Sequence, residues 1–183
     1  MSRNVMGTLF VDYVRMLRTR KDVDWAKYFG PQDLPYLTAR ITPDGWYPMS
    51  TFERMGLAIL EVIAQGELET VKAFGAASVD WLAETHPTLL AKGDPRESIM
   101  RFQVLRQSFF DFSALEVLGV SDSDAQLQIA YQMGPVAEEA ASFQTMGFFI
   151  RLLELSGAKS VESKFTGRSW AGDPATVCEL VWE

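Results

Sequence analysis

Residues 125–133 carry the pattern that most restricts the fold: Ala125, Leu127, Ile129, Tyr131 and Met133 alternate with Gln126, Gln128, Ala130 and Gln132. A period of two puts the first set on one dry face of a strand. Residues 114–120 are also β-compatible, and the turn cluster Ser121-Asp122-Ser123-Asp124 separates them from that run, so the spacing predicts a hairpin. A helix should follow from about Val136 to Ser156, stopped by Gly157, which takes a left-handed cap without strain. Its apolar residues form two faces, Phe143, Met146, Ile150 and Leu153 on one and Phe148, Leu152 and Leu155 on the other. Both must be covered, one by a sheet and the other by the N-terminal helices or by a second copy of the chain. Lys159–Phe165 and Thr176–Trp182 are β-like and joined by the turn-rich residues 167–173, which makes a second hairpin. The expected fold is α+β in a single domain: a mainly helical half over 1–112, then a four-stranded antiparallel sheet built as hairpin, helix, hairpin over 113–183.

The helical half divides by its own punctuation. Apolar residues recur at helical spacing from Val5 to Arg18, and residues 22–49, with four prolines, read as a turn-rich crossing with a short helix near Trp25 to Phe29. Ser50-Thr51-Phe52-Glu53 has the form of a capping box, so a helix should begin there and stop at Gly66. Another is expected from about Glu67 to Glu84, ending at His86-Pro87 because proline disfavours the helical state before it. Asp94-Pro95-Arg96-Glu97 repeats the capping logic for a helix lasting to about Ser108.

A net charge of -7 opposes a broad contact with phosphate backbones, so nucleic acid is not an expected partner. Charged residues interrupt every long apolar run, which leaves no membrane span. The basic N-terminal stretch has no small-residue cleavage site, and the single cysteine, Cys178, allows neither an internal disulfide nor a thiolate-rich metal site. A cytoplasmic protein is expected. Patterns for nucleophile elbows, phosphate loops and dinucleotide loops are absent, and the acid pairs Glu138-Glu139 and Asp122/Asp124 suit a helix start and a turn. The reading is of a chain that is not an enzyme.

The stretch AASFQTMGFFIRLLELSGAKSVESKFTGRSWAGDPATVCELVW resembles the end of the 4-vinyl reductase domain family, which shares its fold with haem nitric oxide binding domains and with TRAPP vesicle-tethering subunits. The opening VMGTLFVDYV is similar to the first helix of haem nitric oxide binding domains, and WYPMSTFERMGLAILEVIAQG resembles an uncharacterised myxobacterial paralogous family. The vinyl reductase resemblance implies a cysteine-held zinc, but Trp170 stands where one of those cysteines belongs, so no metal site is expected. It also implies a pocket for a small hydrophobic or aromatic ligand between the long C-terminal helix and the N-terminal helices. The residues assigned to its wall are Trp81, Phe102, Phe109, Tyr131, Phe143, Met146 and Trp170, with Arg151 as an anchor for an acidic group. No cofactor is expected, the alternative being haem on His86, the single histidine, although the Tyr-x-Ser-x-Arg propionate motif is missing. The function read from this is a ligand-binding or signalling domain working as a homodimer, with an interaction scaffold lacking any ligand as the alternative. A tunnel of a few hundred Å³ would favour the first and a filled core the second.

Overall fold

A computed structural model describes residues 3–183. The C-terminal part follows the alternation in the sequence as far as Ile129, where the strand ends and leaves Tyr131 and Met133 in the linker that follows. β3 (Leu115–Val120) and β4 (Asp124–Ile129) form one hairpin, β5 (Glu162–Gly167) and β6 (Thr176–Val181) the other, and α5 (Pro135–Leu155) connects them. Pairing is antiparallel in the order β3-β4-β6-β5, with Leu127 opposite Cys178 at the centre. The alternating residues Ala125, Leu127 and Ile129 join Cys178 and Leu180 on the dry face, and Met146, Phe149, Leu152 and Leu153 of α5 pack into the same core. Gly157 takes φ +105 at the end of α5, as the sequence requires.

The other side of α5 is covered from within the chain. The N-terminal half supplies α1 (Gly7–Thr19), α2 (Met49–Ala58), α3 (Leu68–Thr85) and α4 (Pro95–Leu105), and α3 packs against α5 more extensively than any other pair of elements touch. The two apolar faces of α5 therefore need no second copy, and a homodimer would have to use another surface. The α3–α5 approach depends on two glycines. A Cβ on Gly75 would lie 1.8 Å from the carbonyl oxygen of Gln144, and one on Gly147 would lie 1.9 Å from that of Lys72. Any side chain at either place would force the two backbones apart.

Three expectations are corrected. The opening helix begins at Gly7, because residues Asn4–Met6 form a short strand, β1, paired antiparallel with β2 (Trp46–Pro48). The Ser50 capping box does not form: α2 starts one residue earlier, directly after Pro48, and no side chain caps it. Glu53 instead accepts from the backbone N–H of Gly134 at 2.7 Å, holding the start of α5 against α2. Beyond Ala58 the helix widens to a π-type turn over Ile59–Ile63, and Gln65 and Gly66 then reverse the chain with positive φ. The Asp94 cap does form, accepting from Glu97 N–H at 2.8 Å.

The linker entering α5 is fixed by a buried carboxylate. Glu138 accepts from the N–H of Tyr131 at 2.9 Å and of Met133 at 2.8 Å, which satisfies two amides that the strand no longer pairs. Tyr131 is thereby held between the end of β4 and the start of α5. No helix among the described residues is long and apolar enough to cross a membrane.

Candidate functional site

A cavity of about 90 Å³ lies where α1, α3, α4 and α5 converge over the start of the sheet. It is smaller than a tunnel of a few hundred Å³, but comparable in scale with the roughly 150 Å³ void known to accept benzene, and it greatly exceeds the space one water needs. Phe102, Phe109, Phe148 and Phe149 line it together with Tyr131 and Trp81. Their rings interlock: Phe102 meets Phe149 edge-on at 4.7 Å, and Phe148 meets Phe149 at 5.4 Å. Opposite them Tyr13 stacks on Phe52 at 4.1 Å. Such edge-to-face and offset pairs hold rings in fixed orientations, so the wall is a shaped surface rather than loose filling.

Two phenols carry the polar part of the wall. Tyr13 donates to Gln144 Oε1 at 2.5 Å, and Tyr131 Oη lies 2.6 Å from Thr145 Oγ1. Both bonds tie the cavity to α5. Burial pushes both phenol pKa values well above their ordinary range, so the two rings stay protonated and neutral. Thr8 donates to the Pro43 carbonyl and Ser78 to those of Phe74 and Gly75. The lining residues Leu9, Asp12, Ser78 and Trp81 are only half-buried, whereas Tyr13, Leu82, Phe102 and Phe149 are buried; the open side is therefore between α1 and α3.

Of the residues assigned from sequence, Trp81, Phe102, Phe109 and Tyr131 meet on this one cavity. The remaining four are elsewhere. Phe143 packs on Phe165 at 5.3 Å, and Trp170 meets the same ring edge-on at 5.1 Å, so both cover the outer hairpin. Met146 is buried in the core without reaching the cavity. Arg151 pairs with Asp80 at 3.1 Å and Glu154 at 3.7 Å, which leaves it committed to the α3–α5 surface. His86 ends α3, its Nδ1 3.0 Å from Thr85 Oγ1 and its ring edge-on to Phe109 at 6.2 Å, outside the lining. Cys178 is fully buried in β6, and burial pushes its thiol up to about 12. Among the described residues no three His, Cys, Asp or Glu side chains gather as a metal site.

The stripe missed by sequence reading is Ala141, Gln144, Thr145 and Phe148, which are part of the α5 contribution to the wall. They recur at i, i+3, i+4 and i+7, a legible periodicity, but two are polar and a count of apolar residues passes over them. Asp12 and Tyr13 of α1 escape notice because neighbouring residues of a helix give no sign of sharing a wall with another element.

Solved structures with this chain path exist. H-NOX from K. algicida in the Fe(II) unliganded state superposes with a TM-score of 0.69 at 11% identity, covering 97% of this chain and 96% of that one. The fold is that of H-NOX, the haem nitric oxide binding domains. An S. oneidensis H-NOX in the Fe(II)NO ligation state matches with a TM-score of 0.65 at 12% identity over 97% of this chain and 99% of that one. A point mutant of T. tengcongensis H-NOX matches at 0.63 and 11% identity over 97% of each chain. No known family profile matches the sequence. No curated protein matches it either. The H-NOX likeness thus extends over nearly the whole chain, beyond the C-terminal stretch on which the sequence resemblance was strongest.

This likeness corrects the expectation that no cofactor is involved. Structures described by their Fe(II) and Fe(II)NO states share the architecture at nearly full coverage, so haem belongs among the groups that such a fold can hold. The residues on this cavity do not fit a histidine-ligated haem, however. His86 is outside the wall, the two phenols on it are held neutral, and the void is several-fold smaller than the ~300 Å³ at which ligand sites of ordinary size begin.

Proposed function

We propose that this chain is a ligand-binding sensory domain of H-NOX fold whose occupant is a small aromatic molecule held in the cavity between α1, α3, α4 and α5. The aromatic enclosure closed by the Tyr13–Gln144 and Tyr131–Thr145 bonds carries this reading. A ring entering between α1 and α3 gains apolar burial worth about 25 cal/mol per Å² and meets phenols that anchor α5, the helix joining both hairpins. Occupancy is thereby coupled to the position of α5 relative to α1. The scaffold alternative requires the same void to be filled by the protein's own rings.

Thermal unfolding with p-cresol and indole tests the reading. A Tm that climbs with ligand concentration is expected, because only the folded state has the cavity. Ala141→Phe, which adds a ring at the wall, should abolish the rise. No rise with either ligand, or a rise that Ala141→Phe leaves intact, would refute a ligand at this place.

The H-NOX likeness favours a second reading, in which haem is the occupant. Phe102, Phe148 and Phe149 would have to withdraw and a donor other than His86 would have to serve. Reconstitution with haem followed by gel filtration tests this: a Soret band co-migrating with the protein and retained in His86→Ala supports it, and colourless protein ends it.

A further inference from the structure

We propose that the cavity selects small aromatic molecules bearing a protonated amine, with Asp12 as the counter-charge and the ring held among Trp81, Phe148 and Phe149. This rests on the small-ligand reading above and narrows it to one chemical class.

Few polar groups on the wall are still available to a ligand. Every hydroxyl of the described wall is already engaged: Thr8 with Pro43, Tyr13 with Gln144, Ser78 with Phe74 and Gly75, and Tyr131 with Thr145. Asp12 is the single charged side chain of the described lining. Among the described residues it has no hydrogen-bond or salt-bridge partner. Arg15, one turn further along α1, would be the obvious partner, but its guanidinium lies over the Trp81 ring, 5.6 Å from the centroid. Its influence on Asp12 is through space only.

A carboxylate so placed has lost much of its hydration without gaining a donor. Burial accordingly pushes its pKa up, and the charge of Arg15 counters this in part. A cationic ligand would supply the missing donor and the opposing charge together. The aromatic walls assist the same class of ligand, since ring faces attract cations. An anionic ligand, by contrast, would face Asp12 and find no cation on the wall. A neutral ring would gain apolar contact while leaving the carboxylate unpaired.

Three molecules of similar size separate these cases: 2-phenylethylamine, 2-phenylethanol and phenylacetate, titrated calorimetrically into the intact chain. In the wild type the amine should bind at least about tenfold more tightly than the alcohol, the worth of one charge-assisted hydrogen bond, with phenylacetate weakest. The amine-to-alcohol ratio should fall to near one in Asp12→Asn and rise about threefold in Arg15→Gln, where the competing charge is gone. An alcohol or acid that binds as tightly as the amine overturns the inference, as does a ratio that survives Asp12→Asn or falls in Arg15→Gln; the small-ligand reading would stand in each case. If none of the three binds while p-cresol still raises the Tm, this inference falls alone; if p-cresol fails as well, both fall.

Discussion

Gly75→Ala is expected to lower the unfolding free energy by about 3 kcal/mol or more, at the upper end of what overpacking costs. The new Cβ would meet a backbone carbonyl, that of Gln144, at 1.8 Å, and no rotamer change can relieve such a contact. The helices must separate, and with them goes the packing of α3 on α5. Gly147→Ala should act alike, its Cβ falling 1.9 Å from the Lys72 carbonyl. Because both single changes ask for the same separation, the double variant should lose less than the sum of the two. Gly119, with nothing within 4 Å of its Cβ position, supplies the control, and Gly119→Ala should stay close to wild type. Urea unfolding at neutral pH measures all four. A Gly75→Ala protein as stable as Gly119→Ala would show that α3 and α5 are not in backbone contact. The crossing also bears on the cavity, because Gln144 is both the residue Gly75 touches and the acceptor for Tyr13.

The second large effect is expected at Asp33. This carboxylate is fully buried and accepts from Arg54 Nε at 2.7 Å, Arg54 Nη2 at 2.8 Å and Thr51 Oγ1 at 2.8 Å. Removing it by Asp33→Ala leaves the buried Thr51 hydroxyl and the partly exposed Arg54 guanidinium in a site built for an anion, at a cost of about 1–3 kcal/mol. Arg54→Met in the same chain should restore part of the loss, since the charge left without a partner is then gone too. The effect depends on pH. Burial alone would raise the Asp33 pKa, but the hydrogen bonds from Arg54 and Thr51 outweigh it and hold the carboxyl below its ordinary value. A depressed pKa means that the contribution is complete above the unfolded value of about 4 and declines as pH falls through the folded one. Urea midpoints of wild type and Asp33→Ala should therefore be far apart at pH 7 and converge as the pH drops below about 4. Midpoints that keep a constant separation down to acid pH would contradict an ionised Asp33.

What the sequence makes legible here follows the range of the interactions. The hairpin, helix, hairpin order can be read because each part is signalled locally: alternation in residues 125–133, the Ser121–Asp124 turn, and Gly157 after α5. The β1–β2 pair cannot be read this way. Each strand has three residues, and Val5 finds Tyr47 only after the intervening segment has folded back. Glu53 shows the same limit from another side. Its spacing from Ser50 suits a capping box, yet Gly134, distant in sequence, presents an unpaired N–H to the same carboxylate. The cavity was half legible: Trp81 and Phe102 are aromatic residues on helices correctly placed, while Phe109 and Tyr131 reach it from just beyond the ends of the elements before them. Phe143 and Trp170 are no less aromatic, and only the three-dimensional position of the outer hairpin sends them to Phe165 instead. Asp12 gave no signal at all. A lone acid on an amphipathic helix reads as a solvated group, and its place on the wall depends on α3 and α5 standing across the cavity from α1.

On the proposed function, the space between Tyr13, Trp81 and Phe149 receives a small aromatic molecule. A crystal structure of the chain grown with p-cresol measures this most directly. A ring is expected in that space, in contact with Phe148 and Phe149 and within reach of the Tyr13–Gln144 pair. Side chains of the protein occupying the space, with p-cresol absent or bound only on the outer surface, would contradict it.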